Sequence, residues 1–340
     1  MPGVSTPTGR GAGTLPRVEP SWLGTAHVLF VAGKGGVGSS TVAAAAALLA
    51  ARNGADVLLV SVDGKPGLGP LLGGSPLRRD EQVLRVSRAS GGRVRGRTIP
   101  PEQAFGDYLD LKGIGAVLRK AASAASLDMV AASTPGLEHL LVLGKVKELE
   151  RTRAADLLIV DAPPAGHAAP FLRSASALQE VISSGPVRDQ ADEVAAMLAD
   201  ATRSQALLVT LPEETPVNEV IELACDVDER LGLAPAPLVV NACWPDRAGL
   251  SLTPAAAARR SGVTIGAATK TALTVSSRYG AARLGVQREQ LARLDDLLPL
   301  PRIELPRLVT SRLAPDDLEV LVDALGVEGG RPATPARGAR

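Results

Sequence analysis

Aromatic side chains make up 2% of this 340-residue chain: three phenylalanines, two tyrosines and two tryptophans. So few rings leave few platforms for base stacking, and the core has to be aliphatic. Cysteine is nearly absent as well. Cys225 and Cys243 form neither a C-x-x-C pair nor any other metal-ligand spacing, so two buried free thiols are the simplest expectation. No stretch approaches about 18 consecutive apolar residues without charge, and the start lacks a basic segment followed by an apolar core. A soluble, cytoplasmic protein is expected. The net charge of +1, with 21% charged residues, supplies no field for nucleic acid, and no nucleic-acid partner is expected.

Glycine, by contrast, is plentiful and concentrated where it matters. Val28 to Ala32 is apolar and reads as a strand, and it runs into Gly33-Lys34-Gly35-Gly36-Val37-Gly38-Ser39-Ser40-Thr41, which opens an alanine-rich helix. Glycines let the backbone approach an anion, and the amides and dipole of the following helix attract negative charge. Gly33, Lys34, Gly35, Gly36, Val37, Gly38, Ser39, Ser40 and Thr41 are therefore candidate nucleotide-binding residues. One more absence stands inside this motif. A P-loop reads G-x-x-x-x-G-K-[ST]; Gly33, Gly38 and Ser40 fit it, but Ser39 stands where the lysine belongs. A hydrogen bond to a charged group is worth roughly 1.5–3 kcal/mol, so the substitution costs about one to two orders of magnitude in affinity or rate.

The same glycines admit a second reading. Gly33, Gly35 and Gly38 also match G-x-G-x-x-G, and Asp63 closes the next strand at about the distance of a ribose-binding acid. A dinucleotide fold is thus the rival. Against it, Lys34 sits inside the turn and two hydroxyl residues enter the helix, neither of which the pyrophosphate fingerprint requires.

The surrounding pattern is α/β: a doubly wound, mostly parallel sheet with an embedded helical subdomain. Ser40 to Asn53 reads as a helix stopped by Gly54, and Asp56 to Val62 as a strand buried on both faces, completing a βαβ unit. Asp156 to Asp161 is another buried strand, which presents a carboxylate at its end as a magnesium-holding Walker B element does. Further strands are expected at 205–211 and 238–241. Helical insertions are expected around 101–150 and 168–203, the first with Leu137, Leu140 and Leu141 on one face and Lys145, Lys147 and Glu148 outside. Residues 1–24 and 328–340 have the composition of disordered tails and flank one P-loop domain over 25–327.

The loop Lys34-Gly-Gly-Val-Gly38 resembles that of the deviant Walker A proteins. The segment Asp161-Ala162-Pro163-Pro164-Ala165-Gly166-His167 resembles switch II of the arsenite-pump and tail-anchored-protein-targeting ATPases, Asp-Thr-Ala-Pro-Thr-Gly-His, with Ala162 and Ala165 in place of both threonines. On that resemblance the fold is a P-loop NTPase and the ligands are ATP and Mg²⁺, the metal being held by Ser40 and Asp161. Lys34 would reach the phosphates of a partner subunit. Asp63, in switch I, would position the attacking water, although Gly64-Lys65-Pro66 replaces the family's Pro-Ala-His; as a bland alternative, Asp63 and Lys65 form a solvated turn. Asn241 would read the adenine, beside a late loop over Leu300 to Pro306. The resemblance implies a dimer, homomeric or with a paralogous ATPase, and a membrane-protein client or membrane component. Two cysteines far apart speak against a direct arsenite site. Two activities remain open: a full Mg-ATPase driving anion transport or membrane-protein targeting, or a weakly active, partner-dependent subunit, which the losses at Ser39, Ala162 and Ala165 favour.

Overall fold

A computed structural model describes residues 20–62, 64–101, 104, 136–247 and 249–327. Asp63, residues 1–19 and 328–340 of the two expected tails, and most of the first helical insertion lie outside these residues. The fold is α/β, built on a single nine-stranded sheet in the order β3-β4-β2-β5-β1-β6-β8-β9, with β7 paired to β6. In chain order the strands are β1 Val28–Gly33, β2 Asp56–Ser61, β3 Gln82–Val86, β4 Arg93–Thr98, β5 Leu157–Asp161, β6 Ser204–Thr210, β7 Ala234–Pro235, β8 Leu238–Cys243 and β9 Arg302–Pro306. All pairings are parallel except β3 with β4 at one edge.

The two faces follow from the period of two along a strand. Val28, Phe30 and Ala32 of β1 enter one apolar cluster together with Leu58, Val60, Leu158 and Val160. That face is covered by α3 Leu137–Arg151, α4 Ala165–Val181, α5 Pro186–Ala199 and α6 Glu214–Cys225, the last running into a π turn over Asp226–Arg230. Leu29 and Val31 point the other way, with Val57, Leu59 and Ile159, onto α1 Ser39–Arg52 and α9 Pro315–Leu325. α1 is the hub of this second layer. Ten consecutive residues, Val42 to Ala51, are buried, because alanines on every side let both the sheet and α9 approach closely. A helix apolar all round can live nowhere else.

Remaining connections carry the short α2 Leu68–Leu71, α7 Pro254–Arg260 and α8 Ala267–Leu297. No helix among the described residues is long and apolar enough to cross a membrane.

Strand positions agree with the sequence pattern to within one or two residues at most ends: β6 spans 204–210, and β8 runs on to Cys243. Two expectations need correction. Lys147 is not on an outer face: it is 9% exposed, donates to Gln190 Oε1 at 3.3 Å and pairs with Glu193, because α5 packs over that side of α3. The two thiols also differ. Cys243 is buried in the sheet, whereas Cys225, at the end of α6, is exposed.

The Cys243 thiol is pushed up to about 12, mainly by burial and secondarily by the Glu304 carboxylate. In the folded chain a thiol-specific reagent near pH ~8 should therefore modify Cys225 quickly and Cys243 only after denaturation. Two equally fast thiols would contradict the packing of β8. Because the folded thiol holds its proton more tightly than an unfolded one, its contribution is complete below about pH 9. It is lost as pH rises from there through about 12.

Candidate functional site

The strands of a parallel sheet deliver their carboxyl ends to one edge, where open α/β sheets bind ligands. At that edge β1 ends in Gly33, β5 in Asp161 and β6 in Thr210, with Asn241 near the end of β8. The turn Lys34–Gly38 links β1 to α1. Val37 is its anchor, 1% exposed in the cluster with Val31 and Val42, so the turn is tied to the core from below. Gly38 at the helix start adopts φ +91°, and the amides of the first helical turn, Ser39 to Thr41, face outward without intrahelical acceptors. That end of α1 carries the positive pole of a helix dipole.

Two cavities share this turn as a wall. One, of about 470 Å³, is lined by Gly36, Val37, Gly38 and Thr41 on one side and by Asn241, Ala242 and the Pro306–Leu313 stretch on the other. The second, of about 270 Å³, is lined by Gly33, Lys34, Gly35, Ser39 and Ser40 together with Lys65, Ala162 and Pro164. The structure thus gathers Gly33 to Thr41, Asn241 and the Asp161 segment, which lie far apart in sequence, around one loop.

Asn241 is tied down at both ends of its side-chain amide. Its Nδ2 donates to Val37 O at 2.8 Å and its Oδ1 accepts from Ala242 N at 2.8 Å, so the side chain staples the β8 end to the glycine turn. The next residue, Ala242, sits at φ +55°, a left-handed conformation uncommon for a residue with a Cβ. Arg307 lines the same cavity with its guanidinium 4.8 Å from the centre of the Trp244 ring, and Trp244 in turn meets Tyr279 edge to face. Sequence reasoning did not find Arg307, because nothing in the local pattern marks an arginine whose role depends on a tryptophan 63 positions earlier. The late segment expected beside the adenine is β9, and its last residue Pro306 does reach the cavity.

The loop's cations are placed differently from one another. Lys34 pairs with Glu219 of α6, each side chain about 35% exposed. The Ser39 hydroxyl is buried and has no hydrogen-bond partner among the described residues. Ser40 Oγ donates to Asp161 Oδ2 at 2.8 Å. Asp161 is fully buried, and Lys65 Nζ lies 3.2 Å from the same Oδ2, 3.3 Å from Ser40 Oγ and 3.4 Å from Ala162 O. Lys65 therefore does not belong to a solvated turn. Its partner in that expectation, Asp63, lies outside the described residues. His167 is exposed on the first turn of α4, where its N–H donates to Pro164 O at 2.7 Å.

A hydroxyl and a carboxylate are hard oxygen donors of the kind Mg²⁺ takes. Ser40 and Asp161 converge on one point at the strand ends, so the residues fit that ion.

Residues 26–77, which hold β1, the glycine turn, α1, β2 and α2, match the family model described as anion-transporting ATPase. The ATPase BagA of Mycobacterium tuberculosis is 32% identical, in an alignment spanning 92% of this chain and 96% of that protein. The chain belongs to the anion-transporting ATPase family. Two more distant relatives are the arsenical pump-driving ATPases of Escherichia coli and Acidiphilium multivorum, 30% and 29% identical over 63% of this chain and 34% of each of those proteins. The expected family membership is borne out, and the dinucleotide rival loses its ground. An ATPase family implies nucleotide binding.

Proposed function

We propose that this family member binds adenine nucleotide on the 33–41 turn and acts as a weakly active or partner-dependent ATPase subunit. In this reading nucleotide state drives opening and closing of a dimer. The polyphosphate would lie along the amides of Gly35, Gly36 and Gly38 to Thr41, and the base would enter the cavity between Asn241 and Arg307. The observation that carries the reading is at position 39. A serine stands where the motif has its fixed cation, and its hydroxyl is buried with no hydrogen-bond partner among the described residues.

Three chain groups have roles in this scheme. Ser40 and Asp161 would hold a magnesium ion, which when bound supplies positive charge to the phosphates. Lys34 would leave Glu219 and reach the nucleotide of a partner, homologous or identical, as the deviant loop resemblance implies. Asp63 would orient the attacking water. A half-exposed pair such as Lys34–Glu219 is worth little, on the order of 1 kcal/mol or less, so releasing Lys34 is not a large barrier.

A steady-state assay with ATP and magnesium tests this, on the chain alone and mixed with a family member that keeps the loop lysine. The expected result is slow turnover alone, acceleration in the mixture, and loss of that acceleration in Lys34→Ala. Full turnover by the isolated chain, abolished in Asp63→Asn, would overturn partner dependence. The soluble cytoplasmic setting and the membrane-protein client belong to this proposal as well, supported by the family likeness to pump-driving ATPases.

A further inference from the structure

Lys65 is the cation that the motif analysis could not see. Its loop is built to place it. Gly64 takes φ +62°, a left-handed turn that glycine adopts freely, and Pro66 restricts Lys65 itself to an extended backbone. α2 follows at once and is docked by Leu68 and Leu72, each 1% exposed. The side chain therefore projects from a short, fixed segment into the cavity under the glycine turn.

An ammonium has three N–H donors and no acceptor. Here three oxygens face Nζ: Asp161 Oδ2, Ser40 Oγ and Ala162 O, at 3.2, 3.3 and 3.4 Å. Two of them are the side-chain atoms that suit a divalent ion. A fully buried carboxylate needs a counter-charge, and in this chain the counter-charge is covalently attached. Position 39 lacks the cation of the motif, while position 65 supplies one that lines the same cavity.

The geometry points to Lys65 as a built-in substitute for the metal, so that this site takes the polyphosphate of a nucleotide without a divalent cation. This rests on the nucleotide reading above and adds how the site is regulated: a terminal phosphate entering the cavity meets an ammonium already in place. A free divalent ion has to displace a tethered one before it can use Asp161 and Ser40. Nucleotide occupancy is thereby uncoupled from metal supply.

Calorimetric titration of the full chain with ADP, in EDTA and then in magnesium, tests the inference. The wild-type chain should bind ADP in EDTA within about threefold of its affinity in magnesium. Lys65→Met should lose at least about tenfold in EDTA, the size of one hydrogen bond to a charge. It should recover most of that in magnesium, and Lys65→Arg should bind in EDTA nearly as wild type. Manganese alone, followed by its electron paramagnetic resonance signal, gives a readout independent of nucleotide. Lys65→Met should bind Mn²⁺ at concentrations where the wild-type chain does not. Should Lys65→Met fail to fold for want of the counter-charge, the neutral pair Lys65→Met with Asp161→Asn replaces it, and should bind ADP equally weakly in EDTA and in magnesium. Wild-type binding that requires magnesium, or Lys65→Met binding unchanged in EDTA, overturns the role of Lys65 and leaves the nucleotide reading intact. No ADP binding by the wild-type chain in either condition overturns both.

Discussion

Gly38→Ala should remove nucleotide binding while leaving a folded chain. Gly38 sits at φ +91°, where any residue with a Cβ is strained by roughly 1–2 kcal/mol. The new Cβ would also lie 2.4 Å from Asn241 Nδ2. A flexible side chain would normally yield, but Asn241 is held at both ends, by Val37 O and by Ala242 N. Moving it breaks two hydrogen bonds of roughly 1 kcal/mol each. The expected cost is thus about 2–4 kcal/mol of stability, together with a loss of more than about 30-fold in ATP affinity, because the turn that aims the amides is displaced. Chemical denaturation and calorimetry on the same sample separate the two effects. Gly36→Ala is the control: Gly36 has the same φ of +91°, but nothing lies within 4 Å of its added methyl, so its stability loss should stay near the strain alone. Equal ATP affinity in Gly38→Ala and wild type would refute the role assigned to the turn.

Gly33→Ala should do greater damage, and to the fold itself. Its Cβ would stand 2.3 Å from Val209 O and 2.8 Å from both Ser39 Oγ and Val37 Cγ2. Val209 O is backbone of β6, paired in register with Gly33 in the middle of the sheet, so it cannot step aside without prying apart two central strands. Overpacking of this kind costs about 1–3 kcal/mol and more where the clashing group is fixed. A loss of about 3 kcal/mol or greater, or failure to accumulate as soluble protein, is expected. A midpoint of denaturation within error of wild type would mean that β1 and β6 do not meet as described.

These two glycines show how far a sequence can be read. The motif marked both positions, and the unbroken apolar run Val28 to Ala32 foretold a strand, which the fold buries on both faces. The aspartate that closes β5 was equally legible as the end of an apolar run. What the sequence hid is what tertiary packing decides. Lys147 looks solvent-facing by helical spacing, yet α5 lies over it, 43 positions further along, where Gln190 takes its ammonium. Arg307 is invisible without Trp244 beneath it. Lys65 is the plainest case. A lysine between glycine and proline reads as a wet turn, and only the meeting of β1, β2 and β5 at one edge of the sheet puts Asp161 within its reach.

That contrast also explains why the missing P-loop lysine misleads if taken alone. Ser39 stands where the motif has its lysine, and its hydroxyl is buried. Ser40 still meets Asp161 at 2.8 Å, and Lys65 brings a cation to that same corner.

The central claim is that the amides of residues 35–41 hold the polyphosphate of an adenine nucleotide. Nuclear magnetic resonance of the nitrogen-15-labelled chain during an ATP titration tests it most directly, by following Gly35, Gly36, Gly38, Ser39, Ser40 and Thr41. The account predicts large, saturable shifts confined to those amides and the neighbourhood of Asn241, absent in Gly38→Ala. Shifts elsewhere with these amides unmoved at saturating ATP would contradict it.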